Sequence, residues 1–344
     1  MVGGLTILRR IPAWSVATTI LGCLSVAGCH DPVEYDVSAH SGVVKIRVSD
    51  NTIVGSLGGI EDGRSLCSLG NTQFLVASGS GLLYRFDSEQ MLLDTSYAIG
   101  YGSGSGYGDM VMPKPGSVYV IGSAGKILEV SLSSNSVVDR FDAGPLPGAL
   151  CASSTNRRFY VADGSDRRIR EVDPVGNVVL RQSQPLDEIP VAITTESFLD
   201  EYLLACCSDG AGSVGRVTLS TMATGPISLG SPCSAITSFP AESTWAVTHP
   251  EWFAENGAVS ICRSFLLVPD VTAVQVAGHP TDICSVPGTV FFYVLSYLGD
   301  GTSRVTAIDY VNATIVGEVD IPGFPWDITS HANGEYVLAL TSDM

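Results

Sequence analysis

The chain has 344 residues, 45% of them hydrophobic and 15% charged, and a formal net charge of −17 at pH 7. Such a composition supplies a large core and argues against disorder. The acidity argues against nucleic-acid binding, which needs clustered Lys and Arg, and against adsorption to an anionic bilayer by charge alone.

In chain order, the first segment is MVGGLTILRRIPAWSVATTILGCLSVAGCHD. Arg9 and Arg10 precede an apolar run, and small residues precede a cysteine, which is the order of a secretory signal. The ending Val26-Ala27-Gly28-Cys29 resembles the bacterial lipobox. That resemblance implies residues 1–28 as a cleaved lipoprotein signal peptide, Cys29 as the lipidation site and residues 29–41 as a tether. The protein would then be exported and lipid-anchored at the cell envelope. By resemblance to Gram-negative sorting signals, His30 after the cysteine points to the outer membrane. Alternatives are a signal ending at Cys23, which leaves a shorter apolar stretch, and an uncleaved membrane helix, for which the run from Ile11 to Gly28 is at the short end.

Beyond the tether, glycines and prolines are spread along the chain, and short apolar runs alternate with polar turns. Both features predict an all-β fold. The first runs, within GVVKIRVSDNTIVGSL, contain Thr52-Ile53-Val54-Gly55; the same four residue types recur as Thr314-Ile315-Val316-Gly317, near the other end. Between them a unit repeats: Pro or Gly, a short apolar strand, a polar turn, a stronger apolar strand. It opens near residues 64, 108, 147, 190, 232, 280 and 325. A period of roughly 40–45 residues with about four strands per unit predicts propeller blades. The last opening stops at Met344 after two strands, while residues 42–57 hold two strands with none before them. These halves are expected to share one sheet, making residues 42–344 a seven-bladed β-propeller closed by its N-terminal strands, with no half-blade edge left open.

Two segments, RRFYVADGSDRRIREVDPVGNVV and PWDITSHANGEYVLAL, resemble YVTN-type and NHL-type repeats. The resemblance implies a bacterial or archaeal propeller, often exported, of a group that includes both binding proteins and enzymes. The tryptophan–aspartate ending of the WD repeat is missing from these blades.

At the start of each first strand, aligned blades carry Ser65, Asp109, Ala149, Ala192, Ala235, Asp282 and Asp327. Carboxylates gathered at a narrow channel repel one another, which a bound Ca²⁺ or other divalent cation, or a polar ligand, would relieve; a turn aspartate also commonly accepts backbone N–H groups. Two longer loops are placed on the same face. YAIGYGSGSGYGD (residues 97–109) offers Tyr101 and Tyr107 for stacking, and THPEWFAENGA (residues 248–258) offers Trp252 and Phe253 as a partner patch. His249, Glu251 and Glu255 in the second loop match no strong metal spacing.

Outside the signal and the lipid site, seven cysteines remain. Cys67, Cys151 and Cys284 occupy equivalent first-strand positions, which suggests packing. Bridges from Cys206 or Cys207 to Cys233 or Cys262 are conceivable, and the odd count leaves at least one thiol unpaired. No Gly-x-Ser-x-Gly, His-Glu-x-x-His or Cys-x-x-Cys pattern occurs. The sequence therefore favours a monomeric binding module over an enzyme. Its expected partner is an envelope protein, a peptide or a saccharide, held near Asp109, Asp282, Asp327, Tyr101, Tyr107, Trp252 and His279, with no resident cofactor. The alternative is an enzyme of the lactonase or metal-dependent hydrolase type, using the three aspartates with His279.

Overall fold

The computed structural model describes residues 42–342, apart from 71, 101–108, 123–124, 154–156, 196–200, 208–211, 240–242, 251–255 and 265–267. The short apolar runs are strands, and they form seven four-stranded antiparallel sheets. Six sheets are continuous in sequence and make blades one to six: residues 63–98, 110–142, 147–182, 190–228, 236–277 and 279–322. The seventh combines the two ends of the chain. Its strands are β1 (Gly42–Arg47), β2 (Thr52–Leu57), β27 (Phe324–Ser330) and β28 (Tyr336–Ser342), in the order β2-β1-β28-β27. β1 and β28 pair antiparallel from Gly42 opposite Thr341 to Arg47 opposite Tyr336.

The inner strands of blades one to six are β3 (Gly63–Ser68), β7 (Met110–Lys114), β11 (Pro147–Ala152), β15 (Pro190–Thr195), β19 (Ile236–Ser238) and β23 (His279–Ser285). Each packs against the next, β23 packs against β27, and β27 packs against β3. The described residues 42–342 thus form a closed seven-bladed β-propeller.

Second strands such as Ser117–Ile121, Phe159–Asp163 and Thr244–His249 are buried along their whole length, because neighbouring blades cover both faces. Alternation along β1 sends successive side chains to opposite neighbours. Val44 and Ile46 pack with Tyr293 and Leu295 of blade six, while Val43 packs with Phe74 and Phe86 of blade one. Lys45 also faces blade one. Its Nζ donates to the Ser88 carbonyl at 2.7 Å and lies 3.9 Å from the Tyr336 ring centroid. Ser88 Oγ and His331 Nε2 share a hydrogen bond of 2.8 Å at the same junction.

The repeated Thr-Ile-Val-Gly has a structural reason. In both copies the ladder slips by one residue at the valine: Gly55 and Ile53 pair with Lys45 and Ile46, and Gly317 and Ile315 pair with Ala307 and Ile308. Both are β-bulges on an outer strand. The glycine then leaves room for the turn of the following blade. A Cβ at Gly317 would stand 2.1 Å from Asn51 Nδ2, and one at Gly55 2.7 Å from Met91 Cγ. Asn51 (φ 56°) and Met91 (φ 50°) occupy equivalent left-handed turn positions.

Asn51 Oδ1 in turn accepts the Tyr293 hydroxyl of blade six at 2.6 Å, and Asn177 accepts the Tyr119 hydroxyl at 2.9 Å between blades two and three. The N-terminal hairpin is therefore latched like an internal blade. Asn51→Ala removes the acceptor and a residue suited to positive φ, and is expected to cost about 1–3 kcal/mol in a single cooperative denaturant transition. A loss of half the sheet signal in a separate early transition would contradict closure as a ring-wide constraint.

Candidate functional site at the channel mouth

Each inner strand in blades one, three, four, six and seven begins with a bulge: the register slips between Gly63 and Ser65, Pro147 and Ala149, Pro190 and Ala192, Pro280 and Asp282, and Pro325 and Asp327. The skipped residues are Arg64, Gly148, Val191, Thr281 and Trp326. A bulge re-aims a side chain that the ladder would otherwise hold in register. Here all five skipped residues, together with Asp109, Asp282, Asp327 and Ser234, line one basin of about 200 Å³ at the channel mouth.

The three aspartates converge on this basin, and each is already bonded. Asp327 Oδ2 accepts the Leu66 amide at 2.7 Å, Asp282 Oδ2 the Ile328 amide at 2.8 Å and Asp109 Oδ2 the Leu150 amide at 3.0 Å. Asp109 Oδ1 also accepts its neighbour Met110 N–H at 2.8 Å. In every case the carboxylate reaches forward to the inner strand of the next blade: seven to one, six to seven, two to three. At the same column, blades three, four and five carry Ala149, Ala192 and Ala235, and those junctions are crossed by hydroxyls elsewhere on the inner strands, of the kind that Ser330 Oγ also gives Ser285 O at 2.8 Å between blades seven and six. Thr195 Oγ1 donates to Ala152 O at 3.3 Å, Ser238 Oγ to Thr195 O at 2.7 Å, and Ser234 Oγ to Pro280 O at 2.9 Å.

Burial raises the pKa of all three carboxyl groups. Asp109 is pushed up to about 7, by burial first and then by the Asp327 charge, against the lowering effect of its two amide donors. Asp282 is pushed well above the carboxylate range by burial and by Asp327, with which it shares a hydrogen bond. Two buried neighbouring carboxylates cannot both ionise cheaply, which favours a proton retained by the pair as a whole.

Trp326 and Arg64 form the half-buried shelf of the basin. The guanidinium lies 3.8 Å from the indole centroid and pairs with Asp62 at 2.5 Å. Trp326 Nε1 donates to Ser342 Oγ at 2.5 Å. Behind it the rings continue, Phe324 at 5.5 Å and Tyr297 a further 5.0 Å away. Neither Arg64 nor Trp326 stood out in the sequence. The available signal was their place immediately before the aligned column, in Arg-Ser and Trp-Asp.

His279 lies at the start of β23 but not on the basin; its Nδ1 donates to the Pro250 carbonyl at 2.9 Å. Tyr101, Tyr107 and Trp252 of the two long loops, and Cys29, lie outside the described residues. Among the described residues, no group of three or more His, Cys, Asp or Glu side chains is arranged to hold a metal ion. None of the seven described cysteines is joined in a disulfide.

No protein-family model and no curated protein matches the sequence. Among solved structures 1591 chains match, and a shared fold does not by itself carry a function. One is a chain of Kuenenia stuttgartiensis hydrazine synthase, with a TM-score of 0.70 and 15% identity over 83% of this chain and 94% of that one. At that identity the likeness is one of fold, the seven-bladed propeller.

The raised Asp109 pKa fixes the sign of a pH effect. The folded state holds a proton that the unfolded chain releases near pH 4, so this stabilisation is complete below about pH 4, falls as pH rises to about 7 and is flat above. Denaturant melts are expected to show stability falling by on the order of 2–4 kcal/mol across that window from this group. Asp109→Asn should flatten the profile; an unchanged slope would mean that Asp109 titrates normally.

Proposed function

We propose that this chain is an exported, lipid-anchored propeller of the YVTN/NHL type that acts as a binding module at the cell envelope, its channel mouth presented to a protein, peptide or saccharide partner. The observation that carries the reading is the Trp326–Arg64 shelf on the basin. An indole face beside a fixed guanidinium suits a sugar ring or a peptide side chain with an adjacent polar group. The aspartates beneath it are committed to backbone amides, which suits a rigid floor. The signal-like segment ending at Cys29 supports export and tethering.

A second reading has one observation in its favour. The buried Asp282–Asp327 pair shares a hydrogen bond with Asp282 raised well above the carboxylate range, which is the pattern of two carboxyls divided into acid and base roles and the feature an enzyme of the lactonase or metal-dependent hydrolase type would have to use. Its aspartates would have to give up amide donors to act. Hydrolysis of lactone or ester substrates that is abolished by Asp282→Asn would favour this reading.

The binding reading is tested by screening soluble protein from residue 30 onward against glycan and peptide arrays. Trp326→Ala and Arg64→Ala should each weaken any hit at least about tenfold with unchanged circular dichroism; hits unaffected by both would remove the basin from the reading. For the anchor, Cys29→Ser expressed in a Gram-negative host should leave the detergent phase for the aqueous phase after Triton X-114 partition. A variant that stays in the detergent phase would sink the lipid anchor.

A further inference from the structure

Between blades four and five two cysteines meet. Cys206 is in the second strand of blade four (Tyr202–Cys207) and packs into a buried cluster with Leu204, Trp245, Val247 and Cys262. Cys233 lies in the segment entering β19, where its amide donates to the Cys207 carbonyl at 3.2 Å. Both side chains are buried, and their thiols hydrogen-bond to one another. His249 closes the group from the end of the second strand of blade five. Its Nδ1 donates to Pro232 O at 3.0 Å, its Nε2 shares a 2.8 Å hydrogen bond with Ser260 Oγ, and the ring also hydrogen-bonds Cys233.

This environment differs from that of the other thiols. Burial pushes Cys67 and Cys262 up to about 12, as expected of cysteines that serve as small apolar side chains. Cys233 is drawn down to about 6, by the Cys206 hydrogen bond first and by His249 next, against its burial. Burial opposes protonation of His249, and the contact with Cys233 and the carbonyls of Pro232 and Ser231 raise it nonetheless. Cys233 Sγ also donates to the Ser231 carbonyl at 3.7 Å and the Ser213 carbonyl at 4.0 Å, so it rests as a thiol; a neighbouring imidazole able to take its proton, with a second thiol in contact, is the arrangement of a reactive dithiol.

We propose that Cys206 and Cys233 form an oxidisable dithiol site whose substrate is a small hydroperoxide and whose product is a disulfide joining blades four and five. In the first step the Cys233 thiolate attacks one peroxide oxygen. An S–O bond forms, the O–O bond breaks, and hydroxide leaves as water with the proton from His249. In the second step Cys206 attacks the sulfenic sulfur. The S–S bond forms, the S–O bond breaks, and a second water leaves with the Cys206 proton. The protein loses two electrons and the peroxide gains them. Sulfurs already in hydrogen-bond contact need roughly 1–2 Å of approach. With Cys206 0% and Cys233 3% exposed, a small oxidant reaches the pair through local opening between the blades.

The test oxidises reduced protein with a few equivalents of hydrogen peroxide, alkylates the remaining thiols in denaturant and maps unreduced tryptic peptides by mass spectrometry. The expected product joins peptide 182–216 to peptide 217–263. It should persist in the Cys207→Ala/Cys262→Ala double variant, which leaves one cysteine in each peptide, and vanish in Cys233→Ala. His249→Gln should slow its formation about tenfold at pH 7. The proposal is overturned if peroxide leaves all thiols alkylatable, if Cys233 over-oxidises without cross-linking, or if the double variant gives no cross-link. Should Cys233→Ala fail to fold, the double variant decides alone; an unchanged rate in His249→Gln would remove the histidine from the site.

Discussion

The ladder between β1 and β28 is the constraint on which the molecule depends. Without it the chain is a row of six sheets and two loose hairpins, with inner faces at both ends in water. With it, every blade has two neighbours and the inner strands enclose one channel. The interactions at this seam are not special to it. Lys45, buried against Ser88 and Tyr336, faces blade one, and the Tyr293–Asn51 contact towards blade six has its counterpart in Tyr119–Asn177. At the Tyr–Asn latch the seam uses the same contact as the internal junction between blades two and three.

That closure decides what the mouth can be. Inner strands brought side by side place the start of each one on a common rim, and in five of the seven blades a bulge there pushes one residue into the basin. The rim has two layers. Column residues look sideways and staple blades together, while skipped residues look inward and meet whatever enters. A register slip of a single residue therefore separates the carboxylates that bond the next blade from the Arg64–Trp326 stack that faces the basin.

The blade count, the four-strand unit and the shared seventh sheet were legible in the sequence, because a repeat of alternating apolar runs has few ways to bury both faces. The aspartate column was legible too, since aligned repeats place equivalent residues at equivalent radius. Its bonding was not. Nothing in the sequence tells that Asp282 reaches the Ile328 amide, because that depends on the twist between blades. Arg64 and Trp326 were hidden for a related reason: a bulge changes the direction of a side chain without changing the pattern of residue types. Cys206 and Cys233 could be listed as candidates for pairing, but only the packing of blade four on blade five separates them from Cys207 and Cys262.

The forward reach of the aspartates gives the hub a direction and an uneven distribution of charge. Three of its seven junctions, two–three, six–seven and seven–one, are fastened by groups that can ionise. The arc from blade three to blade six is fastened by hydroxyls, which stay neutral over the ordinary range of pH. Alkali therefore loads one side of the hub with electrostatic stress and leaves the opposite arc untouched, although that arc holds the thiol pair. The ring in this sense carries two clasps: one answers to protons, and the other, under the dithiol proposal, to electrons.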